Sequence, residues 1–232
     1  MFFSNDIESK LVRLDHVESR HCLKVLRLGI NDIIQVTDGK GNLYEAAINE
    51  ISSGLVTGQI IKTSESPATH GFRLHIAMAP TKNSDRFEWF LEKSSEIGID
   101  EITPVICTHS ERNRINLERS RKILITAIKQ SLKTWLPQLN EPLALTDFID
   151  KSGKGIKLIA SCLSGMEKEI QYSYTKGKDV IVLIGPEGDF SEPELKAAVK
   201  AGFIPVSLGE SRLRTETAGV YVTAVINLLN RF

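Results

Sequence analysis

From residue 74 onward, short apolar runs alternate with stretches of helical periodicity, and this alternation constrains the fold more than any other feature. LHIAMAP (74–80) is an apolar run closed by proline, a buried strand. DRFEWFLEKSSEIG (85–98) places Phe87, Phe90, Leu91 and Ile97 at helical spacing. Asp85 with Glu88 makes a capping-box-like start to that helix, and Gly98 supplies its stop. TPVIC (103–107) is the next strand, and residues 117–136 read as a second amphipathic helix ended by Pro137. KLIAS (157–161), VIVLI (180–184) and PVSL (205–208) complete the strands. A helix at 191–202 opens with a Ser191/Glu194 capping box, and a last one runs from about Thr215 to Phe232. Strands alternating with helices predict a mostly parallel α/β sheet.

The first 65 residues follow another grammar. IIQVTDGKGNLYEAAI (33–48) is two β-type runs around the turn signal Asp38–Asn42, and LVTGQIIK (55–62) adds a third. With no long helix among them, they predict a small β-barrel, joined by a polar linker, TSESPATHG (63–71). The expected division is therefore 1–70 and 71–232. Formal net charge is zero over 232 residues, so any nucleic-acid footprint must be local. Between His109 and Lys133, seven Lys/Arg stand against Glu111 and Glu118. From Lys10 to Arg27, five stand against Asp15 and Glu18, so both segments suit phosphate, or simply solvent. Cys22, Cys107 and Cys162 are isolated and lack C-x-x-C spacing, which predicts neither a disulfide framework nor a metal site. No apolar stretch has the length of a signal peptide or a membrane span, so a cytoplasmic, membrane-free protein is expected.

Two loops carry candidate chemistry. GPEGDFS (185–191) follows VIVLI, and LGESRLRTETAG (208–219) follows PVSL. In an open α/β sheet, loops at the carboxyl ends of strands form the ligand crevice. Gly185 and Gly188 let backbone approach a flat heteroaromatic, with Pro186 stiffening the turn; equally, they close a turn before Ser191 caps a helix. Thr215 suits a helix N-cap and Glu216 suits the first turn. Arg212 and Arg214 do not suit that turn, because the helix dipole disfavours cations there. Arg214 requires an anion: Glu187 or Glu216 inside the protein, or a carboxylate or phosphate outside it. There is no G-x-G-x-x-G, P-loop, H-E-x-x-H or G-x-S-x-G pattern, so typical dinucleotide, P-loop, zincin and α/β-hydrolase readings lose support.

GPEG-x-FS followed by LG-x-x-x-LRTETA resembles the signature of the RsmE family of ribosomal RNA uridine-N3 methyltransferases, in the SPOUT superfamily. Further similarity lies at HCLKVLRL (21–28), EKSSEIGIDEITPV (92–105) and HSER (109–112), so it spans nearly the whole chain. The resemblance implies a PUA-like β-barrel that helps hold RNA and an α/β domain with a trefoil knot. It further implies a homodimer, S-adenosylmethionine as cofactor, and the 16S rRNA of the small ribosomal subunit as partner. By position it places the cofactor against Ser161, Leu183, Gly185, Pro186, Glu187, Gly188, Leu208, Gly209, Leu213, Thr215 and Thr217. Arg214 is the candidate for stabilising charge on the uracil or holding a phosphate. Glu216 is a base, an orienting group, or only a structural partner of an arginine. Arg13, His21, Lys24, Arg27, Arg112 and Lys133 are the candidate RNA contacts, His21 alternatively packing between domains.

This chain departs from the family pattern at Asp189, where a glycine is usual, at Ser211, where an arginine is usual, and at Lys129-Gln130 and Lys133. Two other readings therefore stay open: a SPOUT methyltransferase of another RNA at a ribose hydroxyl, and an RNA-binding protein without activity.

Overall fold

Turn chemistry builds the N-terminal strands. β1 (Phe2–Phe3), β2 (Asp6–Glu8) and β3 (Leu11–Arg13) precede a short helix α1 (His16–Arg20), capped by Asp15, whose Oδ1 accepts from the Glu18 N–H at 2.8 Å. A π-helical turn, His21–Val25, follows directly. β4 (Ile33–Thr37) and β5 (Asn42–Ser52) pair antiparallel around the Asp38 turn, where Asp38 Oδ1 accepts from the Lys40 N–H at 2.7 Å. β6 (Leu55–Glu65) completes a six-stranded sheet of order β1-β4-β5-β6-β3-β2 and runs three residues into the stretch read as linker. Ser4 curls this sheet: its N–H donates to Thr37 O at 3.0 Å and its hydroxyl to Arg13 O at 2.5 Å, tying the two edges together. Val12, Leu14, Ile34, Val36, Ile48 and Val56 fill the inside.

The structure, a computed structural model, describes residues 1–66, 71–161 and 168–231; Cys162, residues 67–70 of the linker and Phe232 lie outside the described residues. The chain divides into two compact units, Met1–Ala68 with Ile125–Leu136, and Thr69–Leu124 with Pro137–Phe232.

The second unit is the parallel sheet. Its elements run β7 (Leu74–Met78), α2 (Ser84–Ile97), β8 (Glu101–Ile106), α3 (Leu117–Gln130), β9 (Gln138–Leu139), β10 (Leu143–Ala144), α4 (Leu145–Lys151), β11 (Ile156–Ala160), α5 (Ile170–Ser173), β12 (Val180–Ile184), α6 (Glu192–Lys200), β13 (Ile204–Val206) and α7 (Thr215–Arg231). The second half of α3 belongs to the first unit. Strand order is β10-β8-β7-β12-β11-β13, with β9 beside β8 and every pairing parallel. Both faces are covered, as such a sheet requires. Ala77, Ala79, Val105, Ile159 and Leu183 share one core with Phe148, Phe190 and Phe203. Opposite it, α2 and α7 pack so closely that a Cβ on Gly219 would sit 2.5 Å from the Phe90 ring and 3.1 Å from Met78 Sδ.

Three helix ends differ from the sequence reading. The cap of α2 is Asn83, whose Oδ1 accepts from the Asp85 N–H at 2.9 Å; Asp85 is already helical and exposed. α3 stops at Gln130, not at Pro137, because Leu132 turns left-handed (φ 56) and the Lys133 N–H closes on Ile128 O at 2.9 Å. The next residues are drawn into the first unit, where Trp135 bridges to Lys40 and the Leu136 N–H donates to Gly39 O at 2.9 Å. The first helical bond of α7 runs from the Ala218 N–H to Arg214 O at 2.8 Å, so Arg214 rather than Thr215 is the cap residue.

Candidate functional site

The second unit's sheet changes direction between β7 and β12. β8 and β10 lie on one side of β7, and β12, β11 and β13 on the other. Parallel strands put all their carboxyl ends on one edge, and the crevice belongs where the strand order reverses. The loops after β7, β8, β11, β12 and β13 all leave from that edge.

Glu187 joins two of them, its Oε1 accepting from the Lys82 N–H at 3.0 Å. His109, in the loop after β8, reaches the loop after β12: its Nδ1 lies 3.1 Å from Gly188 O and 3.0 Å from Asp189 O. Two carbonyls can only accept, so Nδ1 carries the proton. A Cβ on Gly188 would stand 3.0 Å from the His109 Cβ, which explains a glycine there. Asp189 sits at φ 62, in the left-handed region where glycine is favoured and Asp is tolerated. That geometry accommodates the departure from the usual glycine. Glu194 fastens the base of the loops. Its Oε2 accepts from the Ser191 N–H at 2.8 Å and its Oε1 from the Thr108 N–H at 2.7 Å. Burial pushes the Glu194 carboxyl up, but these hydrogen bonds outweigh it and hold it below the usual range.

The other loop carries the charge. Arg214 is exposed and makes no ion pair among the described residues. It lacks the side-chain oxygen that a cap position favours, and its cation meets the positive end of a helix dipole. Helix stability therefore gives no reason for Arg214. Neither carboxylate weighed as its partner takes that role. Glu187 binds the Lys82 N–H, and Glu216 lies 3.8 Å from Arg86 Nε of α2. Glu216 is buried, with 9% of its side chain exposed, and its Oε2 has no hydrogen-bond partner among the described residues. An orphaned buried carboxylate oxygen is costly unless a donor arrives. Arg86 escaped the sequence reading, although a cation in the first turn of a helix was the same signal that marked Arg214.

The remaining candidates sort by unit. Ser161, Leu183, Gly185, Pro186 and Thr215 are buried at the carboxyl edge; Leu208, Gly209, Leu213 and Thr217 are half-buried there, and Gly188 is exposed. Arg112 belongs to the same unit, its Nε donating to Lys82 O at 3.1 Å. Arg13, His21, Lys24, Arg27 and Lys133 belong to the first unit. Arg13 is engaged by Asp6 at 3.0 Å and Glu8 at 3.6 Å, while His21, Lys24 and Arg27 are exposed. Lys129, one of the departures, is paired with buried Glu18, so its charge has an internal reason. Among the described residues no group of three or more His, Cys, Asp and Glu could hold a metal ion, and no helix is long and apolar enough to cross a membrane.

A cavity of about 560 Å³ lies at the opposite, amino-terminal edge of the sheet and includes Arg73, His75, Glu101, Thr103 and Asn140. Its polar groups already satisfy one another. Asn140 Nδ2 donates to Glu101 and to Thr103, both at 2.7 Å, and His75 Nε2 lies 2.8 Å from Thr103 Oγ1.

Comparison with known proteins places the chain in a family. A family described as an RNA methyltransferase domain matches residues 68–227, and one described as an RNA methyltransferase PUA domain matches residues 17–61. Ribosomal RNA small subunit methyltransferase E of Buchnera aphidicola is 30% identical, over 93% of this chain and 87% of its own. A probable rRNA-methyltransferase from Porphyromonas gingivalis superposes with a TM-score of 0.93 at 40% identity, covering 99% of this chain and 98% of its own. The Neisseria gonorrhoeae ribosomal RNA small subunit methyltransferase E, solved bound to S-adenosyl methionine, gives 0.83 at 28% identity, covering 99% and 97%.

Proposed function

The chain belongs to the RNA methyltransferase family, and from that premise we propose that it is an S-adenosylmethionine-dependent methyltransferase of small-subunit ribosomal RNA, acting on N3 of a uridine in the 16S molecule. The observation that carries the reading is exposed Arg214, without an ion pair among the described residues, close in sequence to buried Glu216, whose Oε2 has no hydrogen-bond partner among the described residues, at the crevice edge of a parallel sheet. Neutral uracil offers a donor at N3–H and an oxygen on either side of it, which is complementary to a carboxylate and a guanidinium.

The cofactor fits the residues present. Buried Leu183 and Pro186 with half-buried Leu208 and Leu213 offer an apolar bed for a nucleoside, and the glycines of both loops leave backbone open to it. When bound, S-adenosylmethionine supplies an electrophilic methyl group on a sulfonium. The chain's residues do the rest. Glu216 Oε2 accepts the N3 proton, Arg86 beside it holds the carboxylate in place, and Arg214 balances the negative charge that grows on the uracil oxygens. Loops tied by Glu187 and His109 fix the in-line approach of base and methyl group. Pairing hides N3 in a duplex, so the uridine must be unpaired or flipped out.

In the same reading, residues 1–70 hold RNA through His21, Lys24 and Arg27, residues 71–232 carry the chemistry on a knotted chain, and two copies pair near the active site in the cytoplasm. The test is methyl transfer from labelled S-adenosylmethionine to small subunits lacking the modification, with the product nucleoside identified by mass spectrometry. N3-methyluridine is expected. A ribose-methylated nucleoside would move the substrate, and no product would leave a binding protein. Arg214→Ala should lower kcat by about 10²–10³, the cost of removing one charge-stabilising donor, while cofactor affinity stays within twofold, on the order of measurement scatter. An unchanged kcat removes Arg214 from catalysis.

A further inference from the structure

Beside the carboxyl edge, within the second unit, lies a second and smaller cavity of about 150 Å³. Arg112, Arg114 and Arg119 line it together with Glu88, and Pro80, Phe87 and Ile115 supply apolar wall. Arg119 spends its charge on Glu88 at 2.7 Å, with Asp85 3.9 Å away. Arg112 uses only Nε, on Lys82 O, and Arg114 is exposed with no side-chain partner among the described residues. Two guanidinium forks thus face a notch that holds no carboxylate for them. A protein gains nothing in stability by gathering like charges around a hollow.

We infer that this notch seats a phosphodiester of the RNA strand, next to the nucleotide being methylated. Paired guanidinium forks match the two non-bridging oxygens of a phosphate, and Pro80, Phe87 and Ile115 give the attached ribose an apolar surface. The notch also shares a wall with the reaction site. Pro80 and Lys82 sit in one loop, and the Lys82 N–H binds Glu187 of the loop after β12. A strand crossing the edge to deliver a base would therefore pass its backbone over the arginines. Phosphate contacts of this kind set register and leave sequence unread. The inference deepens the methyltransferase reading and rests on it for the identity of the strand.

Arg114 tests it cleanly, since it has no internal partner to lose. Binding of a single-stranded, uridine-containing fragment of the small-subunit RNA is measured by fluorescence anisotropy across a salt series, for the full chain and for Arg114→Ala and Arg114→Lys. Arg114→Ala is expected to weaken binding roughly tenfold, the effect of one lost charge-assisted hydrogen bond, and to lower the log–log salt slope by about 0.7, one phosphate contact on a single strand. Arg114→Lys should restore the slope but only part of the affinity, because a lysine keeps the charge and loses the fork. S-adenosylmethionine affinity, measured by calorimetry, should not move. An unchanged slope in Arg114→Ala overturns the proposal, as does wild-type protein that ignores the RNA. A loss confined to cofactor affinity overturns it too, giving the notch to the methionine carboxylate. Arginine-dependent RNA binding without methyl transfer would instead leave the notch standing and refute the enzymatic reading.

Discussion

Three buried ionisable side chains show how differently this chain treats charge. Glu18 pairs one oxygen with Lys129 and Glu216 stands 3.8 Å from Arg86, each leaving Oε2 without a hydrogen-bond partner among the described residues, and His75 is kept neutral. Burial drives the His75 imidazole down to about 4, Glu101 opposing and Arg73 assisting. A group whose folded pKa lies below its unfolded value favours folding above the unfolded pKa, near 6.5, and that advantage is lost as pH falls toward 4. Stability should therefore decline between those limits by about 1–3 kcal/mol from this residue. Urea titrations at neutral and mildly acid pH check it: His75→Gln should flatten the decline, and an equal decline in both proteins refutes the assignment. None of this was readable from sequence, because His75 looks like any polar residue interrupting a strand. Arg214 was readable, because a cation at a helix start breaks a local rule. Glu216 was only half legible: its type was evident, its orphaned oxygen was not.

At the scale of elements, periodicity and caps located most of the sheet domain. The strands read at 74–80, 103–107, 157–161 and 205–208 all form, shifted at their ends, the one at 180–184 forms with the same bounds, and the Ser191/Glu194 box is present. β9, β10 and the short helices α4 and α5 were missed, being too brief to show a period. The end of α3 was misplaced because contacts with the first unit, invisible locally, outweigh its helical pattern. α7 illustrates a stricter demand. Gly219 lies in its interior, where alanine would gain about 1 kcal/mol in helix propensity. The missing Cβ, however, is the space occupied by Phe90, which is fully buried and cannot swing away. Overpacking costs about 1–3 kcal/mol, so Gly219→Ala should destabilise by up to roughly 2 kcal/mol net. A lower urea midpoint with unchanged m-value is expected; a raised midpoint would mean that the α2–α7 packing yields.

On the scale of the whole molecule, the first unit is assembled from two distant stretches of chain, and composition alone marks only one. A division at residue 70 follows the change from strand to strand–helix grammar. It passes over Ile125–Leu136, which the first unit also contains. The ties are specific. The Gly41 N–H donates to Thr134 O at 3.0 Å, the Thr37 hydroxyl donates to the same carbonyl at 3.2 Å, and Glu18 holds Lys129. Trp135 lies so near Gly41 that a Cβ there would come within 2.4 Å of the indole. A fragment of residues 71–232 would keep Ile125–Leu136 and lose every one of these partners, leaving the Trp135 face that lies on Gly41 to water and the Thr134 carbonyl without Gly41 and Thr37. Lost apolar burial of this kind costs about 1.5–3 kcal/mol per large side chain, a sizeable part of a typical domain's margin. The fragment should therefore melt below the full chain and bind a hydrophobic dye that the full chain ignores. Equal melting midpoints would show that Ile125–Leu136 finds other cover, and that the methyltransferase unit stands without its N-terminal partner.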